Sequence, residues 1–384
     1  MVRFMKWHQV VGLIGSLLAV PAAGDEPAFR VHVLNPESEF SAAAVFDVDH
    51  DGDLDIFSGG FWYEAPTWER HFVRDVENIG GRFDDYSNLP LDVDHDGWTD
   101  VVSVNYRSRS LYWVRHPGSD LSQTWEKVLI DTPGKSETGL LADVDGDGRV
   151  DILPNGRDFT SWYAAPAAAD GEWSRHDLPG ELEGHGVGFG DINGDGRGDV
   201  VGEHGWAEAP ENASDGEWTW HAEFELGKDA SVPIIVADPD GDGDNDVIVG
   251  HGHNFGVFWL EQRLENGART WTEHAIDDSW SCAHAPLWAD IDGDGLEDLI
   301  AGKRYMGHDG RDPGETEPLR IYWYRFDRDA HTWDRHEITF GGTVGMDLDP
   351  KAADIDGDGD IDLVAPARSG LHWLENLRID VVSE

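Results

Sequence analysis

Along residues 28–377 the apolar positions come in short bursts, each broken within a few residues by acids and glycines. Val45-Phe46 and Ile56-Phe57 are separated by nine residues of mostly acid and glycine, as are Leu141-Ala142 and Ile152-Leu153. Runs this short between turn residues read as strands, and no segment sustains a helical period. A third burst is aromatic: Phe61-Trp62-Tyr63, Leu111-Tyr112-Trp113, Trp162-Tyr163, Trp206, Phe258-Trp259, Tyr322-Trp323-Tyr324 and His372-Trp373. A fourth reads Trp-x-x-His-x-apolar, from Trp68 to Val73, Trp173 to Leu178, Trp271 to Ile276 and Trp333 to Ile338. Trp218 to Glu223 and Trp125 to Ile130 are looser copies, the latter with Val128 in the His place.

The polar insert between the first two bursts is itself a repeat. The pattern acid-x-acid-x-Asp-Gly-x-x-Asp starts at Asp47, Asp92, Asp143, Asp191, Asp238, Asp290 and Asp354, with intervals of 45, 51, 48, 47, 52 and 64 residues. Four short strands per unit of about 50 residues is the signature of a propeller blade. The fourth strand occurs only six times after the first loop. Its seventh copy, Phe29 to Leu34, stands at the front of the repeat region. The expected fold is therefore all-β: a seven-bladed β-propeller of four-stranded blades, spanning 25–384 as one domain. The N-terminal strand completes the last blade and closes the ring, which removes an open sheet edge. Residues 303–320, rich in Gly, Pro and charge, read as a long loop in the sixth unit.

The first 24 residues differ in kind. Arg3 and Lys6 precede an apolar run from Val10 to Val20, and the small residues Ala22, Ala23 and Gly24 follow. That order predicts a secretory signal peptide, with a run too short to span a bilayer. The rest of the chain holds no membrane span. The balance of 28 bases against 77 acids, a net charge of −49, excludes a nucleic-acid partner. A single cysteine, Cys282, excludes an internal disulfide framework. An exported monomer without disulfides needs another brace.

The loops offer one. Acids at the first, third and fifth positions can turn toward one point. Gly at the sixth allows the bend, and the ninth residue completes an oxygen cage suited to Ca²⁺. The ligand sets are Asp47, Asp49, Asp51 and Asp55; Asp92, Asp94, Asp96 and Asp100; Asp143, Asp145, Asp147 and Asp151; and Asp191, Asn193, Asp195 and Asp199. The last three sets are Asp238, Asp240, Asp242 and Asp246; Asp290, Asp292, Asp294 and Asp298; and Asp354, Asp356, Asp358 and Asp362. Asn193 should make the fourth loop the weakest.

These loops, with flanks such as Ala289-Asp290-Ile291-Asp292-Gly293-Asp294-Gly295, resemble FG-GAP/VCBS-type repeats over about residues 28–377. The resemblance implies a secreted or surface propeller that binds calcium. The Trp-Tyr-x-x-Pro and Trp-x-x-His signatures are similar to the propeller domain of the aldos-2-ulose dehydratases. So is Gly80-Gly81-Arg82-Phe83-Asp84-Asp85-Tyr86-Ser87 running into DVDHDGWTDVVSVNYRSRSLYW. That likeness implies zinc in the propeller and elimination of water from keto-sugars, although the cupin and lectin domains of those enzymes are missing from this chain. Propeller polysaccharide lyases, such as ulvan lyases, share the seven-bladed plan.

The repeat also sorts the 18 histidines. His32, His71, His176, His221, His274 and His336 recur at one place in the fourth strand, which marks them as structural. His185, His204, His251, His253, His284 and His308 do not fit the repeat. His185 and His284 stand six residues before a loop, while His204 and His251 stand five after one. In a hairpin with the loop at its tip these places meet at the far end, at one mouth of the channel. His185, His204, His251 and His284 are the expected ligands of Zn²⁺ or a similar metal, with His253 in reserve. Catalytic candidates at the same mouth are His253, Lys303, Arg304, Tyr305, Tyr106 and Arg107. They could remove a proton beside a sugar carbonyl or carboxylate and protonate the leaving oxygen, a lyase or dehydratase reaction on a saccharide. The competing expectation is a non-catalytic module that binds extracellular glycan or protein.

Overall fold

The computed structural model describes residues 27–169, 171–265 and 268–378; the expected signal peptide lies outside them. Seven antiparallel sheets of four strands follow one another along the chain. The first strands are Ala44–Phe46, Ser87–Leu91, Gly139–Ala142, Gly188–Gly190, Ile235–Ala237, Leu287–Ala289 and Lys351–Ala353. In five of the seven neighbouring pairs of blades the first strands touch one another, so these strands form the wall of the hub. Each second strand begins at the ninth residue of its acidic loop, from Asp55–Ser58 in the first blade to Asp362–Ala367 in the last. The element Phe29–Asn35 pairs with Gly370–Asn376, so the N-terminal strand closes the seventh blade.

The aromatic and Trp-x-x-His bursts meet in one register. Each third-strand Trp lies directly opposite the same fourth-strand position: Trp62 against His71, Trp162 against His176, and Trp373 against His32 across the closure. In the second blade Trp113 faces Val128. Six of the seven pairs stack Trp on His with centroids 4.0–4.7 Å apart. The indole buries its area between blades, and the imidazole covers its outer face while keeping a polar edge in water. Removing residues 29–35 should leave Trp373 uncovered and an edge open. Losing about 3–5 kcal/mol lowers Tm by roughly 6–20 °C at about 2–4 °C per kcal/mol, a shift that calorimetry of the truncated chain would read.

Backbone conformation and local hydrogen bonds shape the loops. The sixth-position glycines have φ between +86° and +103°. That lies beyond the left-handed well open to other residues, so every copy holds Gly. Position four is also left-handed, with five glycines and two histidines, His50 (φ 63°) and His95 (φ 56°). Asp47 accepts backbone N–H bonds from Asp51 and Gly52, and Asp51 from Asp53; the other loops repeat the scheme with small omissions. The ninth Asp acts as a staple. Asp55 accepts from Val48 at 2.8 Å through one oxygen and from Ala65 at 2.8 Å through the other, tying its loop to the third strand.

Because the strands alternate in direction, all seven acidic loops lie on one face of the ring. Connections from second to third strands, and from one blade to the next, lie on the other. No helix among the described residues is long and apolar enough to cross a membrane.

Candidate functional site

The face opposite the acidic loops carries a convergence of four donors at the hub. Glu137, His185, His253 and His284 each present one ligand atom, and these atoms all lie within 4.8 Å of one another. His185 Nε2 is 3.1 Å from His253 Nε2 and 3.2 Å from Glu137 Oε2, while His284 Nε2 is 3.1 Å from that same oxygen. Donors held tetrahedrally at about 2.0–2.1 Å from a zinc ion are about 3.3 Å apart, so the spacing fits a single ion of that size.

Chain register explains three of the four. Glu137, His185 and His284 each stand six residues before the first Asp of a loop, in the third, fourth and sixth blades. They enter the hub at equivalent places. His253 comes from the connection after the second strand of the fifth blade.

The outer atoms of the group are held. His185 Nδ1 donates to the Ala230 carbonyl at 2.5 Å, and His253 Nδ1 to Asp312 at 3.0 Å, which turns both Nε2 atoms inward. Ligating histidines use this carbonyl or carboxylate support to fix ring orientation. Asp312 also accepts from His308 Nδ1 at 2.9 Å, and the His308 ring stacks on His253 at 4.3 Å. His284 Nδ1 is buried with no partner.

Electrostatics suits a cation. Burial, then the neighbouring His284, Arg304 and His185, push the His253 imidazole far below its ordinary value, so it is neutral with a lone pair on Nε2. Burial and Arg304 lower His284 to about 3. Burial alone would raise Glu137, yet His185, hydrogen bonds from His185 and His284, and Arg304 together hold its carboxyl well below the usual range. A divalent cation would take the place of the protons that His185 and His284 share with the Glu137 carboxylate, beside the Nε2 lone pair of His253. The donor set fits Zn²⁺ or a similar metal.

Asn155 locks two of these donors in place across a blade boundary. Its Oδ1 accepts from the N–H groups of Glu137 (2.7 Å) and Thr138 (3.0 Å), and its Nδ2 donates to the His185 carbonyl (2.5 Å). Asn155→Ala should strand two buried N–H groups and loosen both ligands. Metal affinity is expected to fall about 10–100-fold, the usual cost of lost outer support; competition with a chelating dye would measure it.

Glu137, His185 and His253 form part of the wall of a cavity of about 410 Å³ lined also by Tyr106, Arg157, Lys228, Asp229, Asn254, His308, Asp312 and Pro313, with His284 fully buried behind them. The structure does not bring His204 or His251 to the tetrad. Glu203 points inward to accept from the His185 N–H, so the next side chain, His204, alternates outward to Glu225. His251 turns its Nδ1 to the Phe255 carbonyl, and its ring lies against Phe258. Tyr106 reaches the cavity; Lys303, Tyr305 and Arg107 do not line it. Lys303 is fully buried, with Nζ donating to Ser281 O and Oγ. The Tyr305 N–H donates to Asp347 while its side chain is exposed, and Arg107 donates to the Tyr86 hydroxyl. Arg304 stands behind Glu137 with Nη1 3.8 Å from its Oε2. Glu137, and Asp312 as the support of His253, were missed in the sequence.

With the geometry in place, the chain can be set beside known proteins. The FG-GAP-like repeat family matches residues 92–153 and 238–301, two stretches that each hold two acidic loops. Solved structures of similar fold include the BBS1N chain of a complex with ARL6DN, 10% identical, covering 91% of this chain and 97% of that one at a TM-score of 0.53. A lectin from Agrocybe aegerita that recognises non-reducing terminal N-acetylglucosamine is 18% identical, with 90% and 93% covered and a TM-score of 0.48. The exotype rhamnogalacturonan lyase YesX is 13% identical, with 92% and 75% covered and a TM-score of 0.49. At such identities the likeness is one of fold. No curated protein matches the chain. The protein is a seven-bladed β-propeller carrying FG-GAP-like repeats.

Proposed function

We propose that the chain is a secreted propeller, braced by calcium in its acidic loops, that eliminates water or an alcohol from a saccharide at a metal site in the hub. The observation that carries this reading is the convergence of three imidazoles and one carboxylate at a cavity sized for a small ligand, with Glu137, His185 and His253 on its wall. Glu137, His185, His253 and His284 would hold the metal. A divalent ion supplies Lewis-acid polarisation of a carbonyl or carboxylate oxygen.

The protein's own groups do the rest. His308 lines the cavity, and Asp312 accepts from its Nδ1, so Nε2 is the free basic nitrogen. It takes the proton from the carbon beside the activated group. The C–H electron pair becomes the new C=C bond, and the β-oxygen leaves with the C–O pair. Tyr106, on the same cavity and stacked on Tyr86, donates the proton that the leaving oxygen needs. Arg304 offsets the carboxylate charge of Glu137.

The test is a glycan panel assayed for unsaturated sugar by ultraviolet absorbance. His308→Ala and Tyr106→Phe should each lower kcat by roughly 10²–10⁴-fold, as for a lost general base or acid. His204→Ala and His251→Ala should leave metal content and rate alone. Intact ligand after prolonged incubation across the panel would favour a binding module instead.

A further inference from the structure

The cavity has two cations that the elimination does not use. Arg157 and Lys228 both line it and are both exposed. In a chain with 77 acids and 28 bases, a cation without a partner is unusual. On this face of the ring Arg82 and Arg368 pair with Asp309, Arg109 with Asp158 and Arg304 with Glu137, while Lys135 lies over the Tyr106 ring. Among the described residues, the side chains of Arg157 and Lys228 make no ion pair, hydrogen bond or ring contact. Three acids share the cavity: Glu137 is engaged by two imidazoles, Asp312 by two more, and Asp229 forms no ion pair with either cation among the described residues.

A second, independent observation points the same way. Arg304 Nη1 is buried, in a residue only 9% exposed, and has no hydrogen-bond partner. Three cationic groups thus stand at or just behind one small cavity with donor capacity unspent. A net charge of −49 repels anions at long range, but beyond about 8–10 Å salt screens that field. What remains at contact distance is local. An unpaired guanidinium and an ammonium on one concave surface focus positive potential there and suit a planar, two-oxygen anion.

We infer that the saccharide this cavity takes is anionic, carrying a carboxylate held between Arg157 and Lys228. The inference rests on the hub being a saccharide site, and it narrows the ligand from any activated sugar to a uronate. A sulfate ester shares the anionic chemistry, so the test separates the two.

Three probes suffice: a trisaccharide ending in a uronate, its carboxyl-reduced neutral form, and that neutral form bearing a 6-sulfate. Binding is read by calorimetry on the metal-loaded protein. The uronate should bind about tenfold tighter or more than the neutral form, as expected for charge-assisted hydrogen bonds. That margin should shrink as salt rises. The double variant R157A/K228A should erase the margin while metal content and Tm stay unchanged. Equal affinity for uronate and neutral forms overturns the inference, as does a margin that survives in the double variant. Tighter binding of the sulfated form assigns the cations to a sulfate ester and overturns the carboxylate. Failure of the two readings is separable. A preserved uronate margin without unsaturated product removes elimination and leaves this inference standing, and product formed without any margin does the reverse. Binding of none of the three removes both.

Discussion

Stripping divalent cations with a chelator should lower the melting temperature by roughly 10–30 °C, with a larger drop at pH 8 than at pH 5. A site at a hundredfold excess of ligand over Kd adds about 2.7 kcal/mol. At about 2–4 °C per kcal/mol for a large domain, losing two or three sites gives that range. The pH dependence comes from the ninth-position staples. Burial raises Asp55, Asp100 and Asp362 to about 7, Asp151 and Asp199 to about 6, and Asp246 and Asp298 to about 8. Each folded value lies above the unfolded value near 3.9, so the folded state binds more protons between about pH 4 and 8. Stability of the stripped protein must therefore rise as pH falls through that window. Above it the carboxylates are charged, clustered and uncompensated, which is where bound calcium would stabilise most. Melting curves at pH 5 and 8, with calcium and with chelator, measure the difference. A chelator effect that is the same at both pH values would break the link between the staples and the ion.

The ring was legible because it is written seven times. Any one acidic loop could be a solvated turn. Seven, each with Gly at the sixth position and an aromatic strand beyond, admit few architectures, and the N-terminal copy of the fourth strand gives the closure directly. The hub was legible only in part, because it is where the repeat stops repeating. His185 and His284 stood out as imidazoles in equivalent places. Glu137 occupies the same place in the third blade, six residues before Asp143. It passed unnoticed because one more acid in an acidic chain carries no contrast; the register, not the residue type, was the signal. His204 and His251 share a spacing, but the chain leaves the two strands differently. Two residues form the fourth-blade connection, Glu203 facing in and His204 out, whereas four form the fifth, where His253 makes the approach. Asp312 and His308 arrive on the 303–319 segment, which no other blade has, so no internal comparison could place them.

Glu137 is the residue whose loss should cost most. Its carboxylate is the one anion among His185, His284 and the Arg304 guanidinium. Glu137→Gln keeps shape and volume but removes the charge, so three imidazoles and a buried guanidinium would share the site with no anion among them. The remaining His set is a weaker and less neutralised ligand field, so tightly held metal should fall from about one per chain to below a tenth, with elimination falling with it. Removing the anion also takes one of two acidic neighbours from the buried Arg304, Asp347 being the other, so this variant alone would confound metal loss with weakened folding. His253→Ala separates them. His253 stands on the cavity wall, and its removal takes no counter-charge from a buried cation. It should lose metal and activity with a Tm close to wild type. Metal analysis beside calorimetry decides the matter: if both variants keep a full complement of metal after dialysis, the four donors are a polar knot in the hub and the ion sits elsewhere.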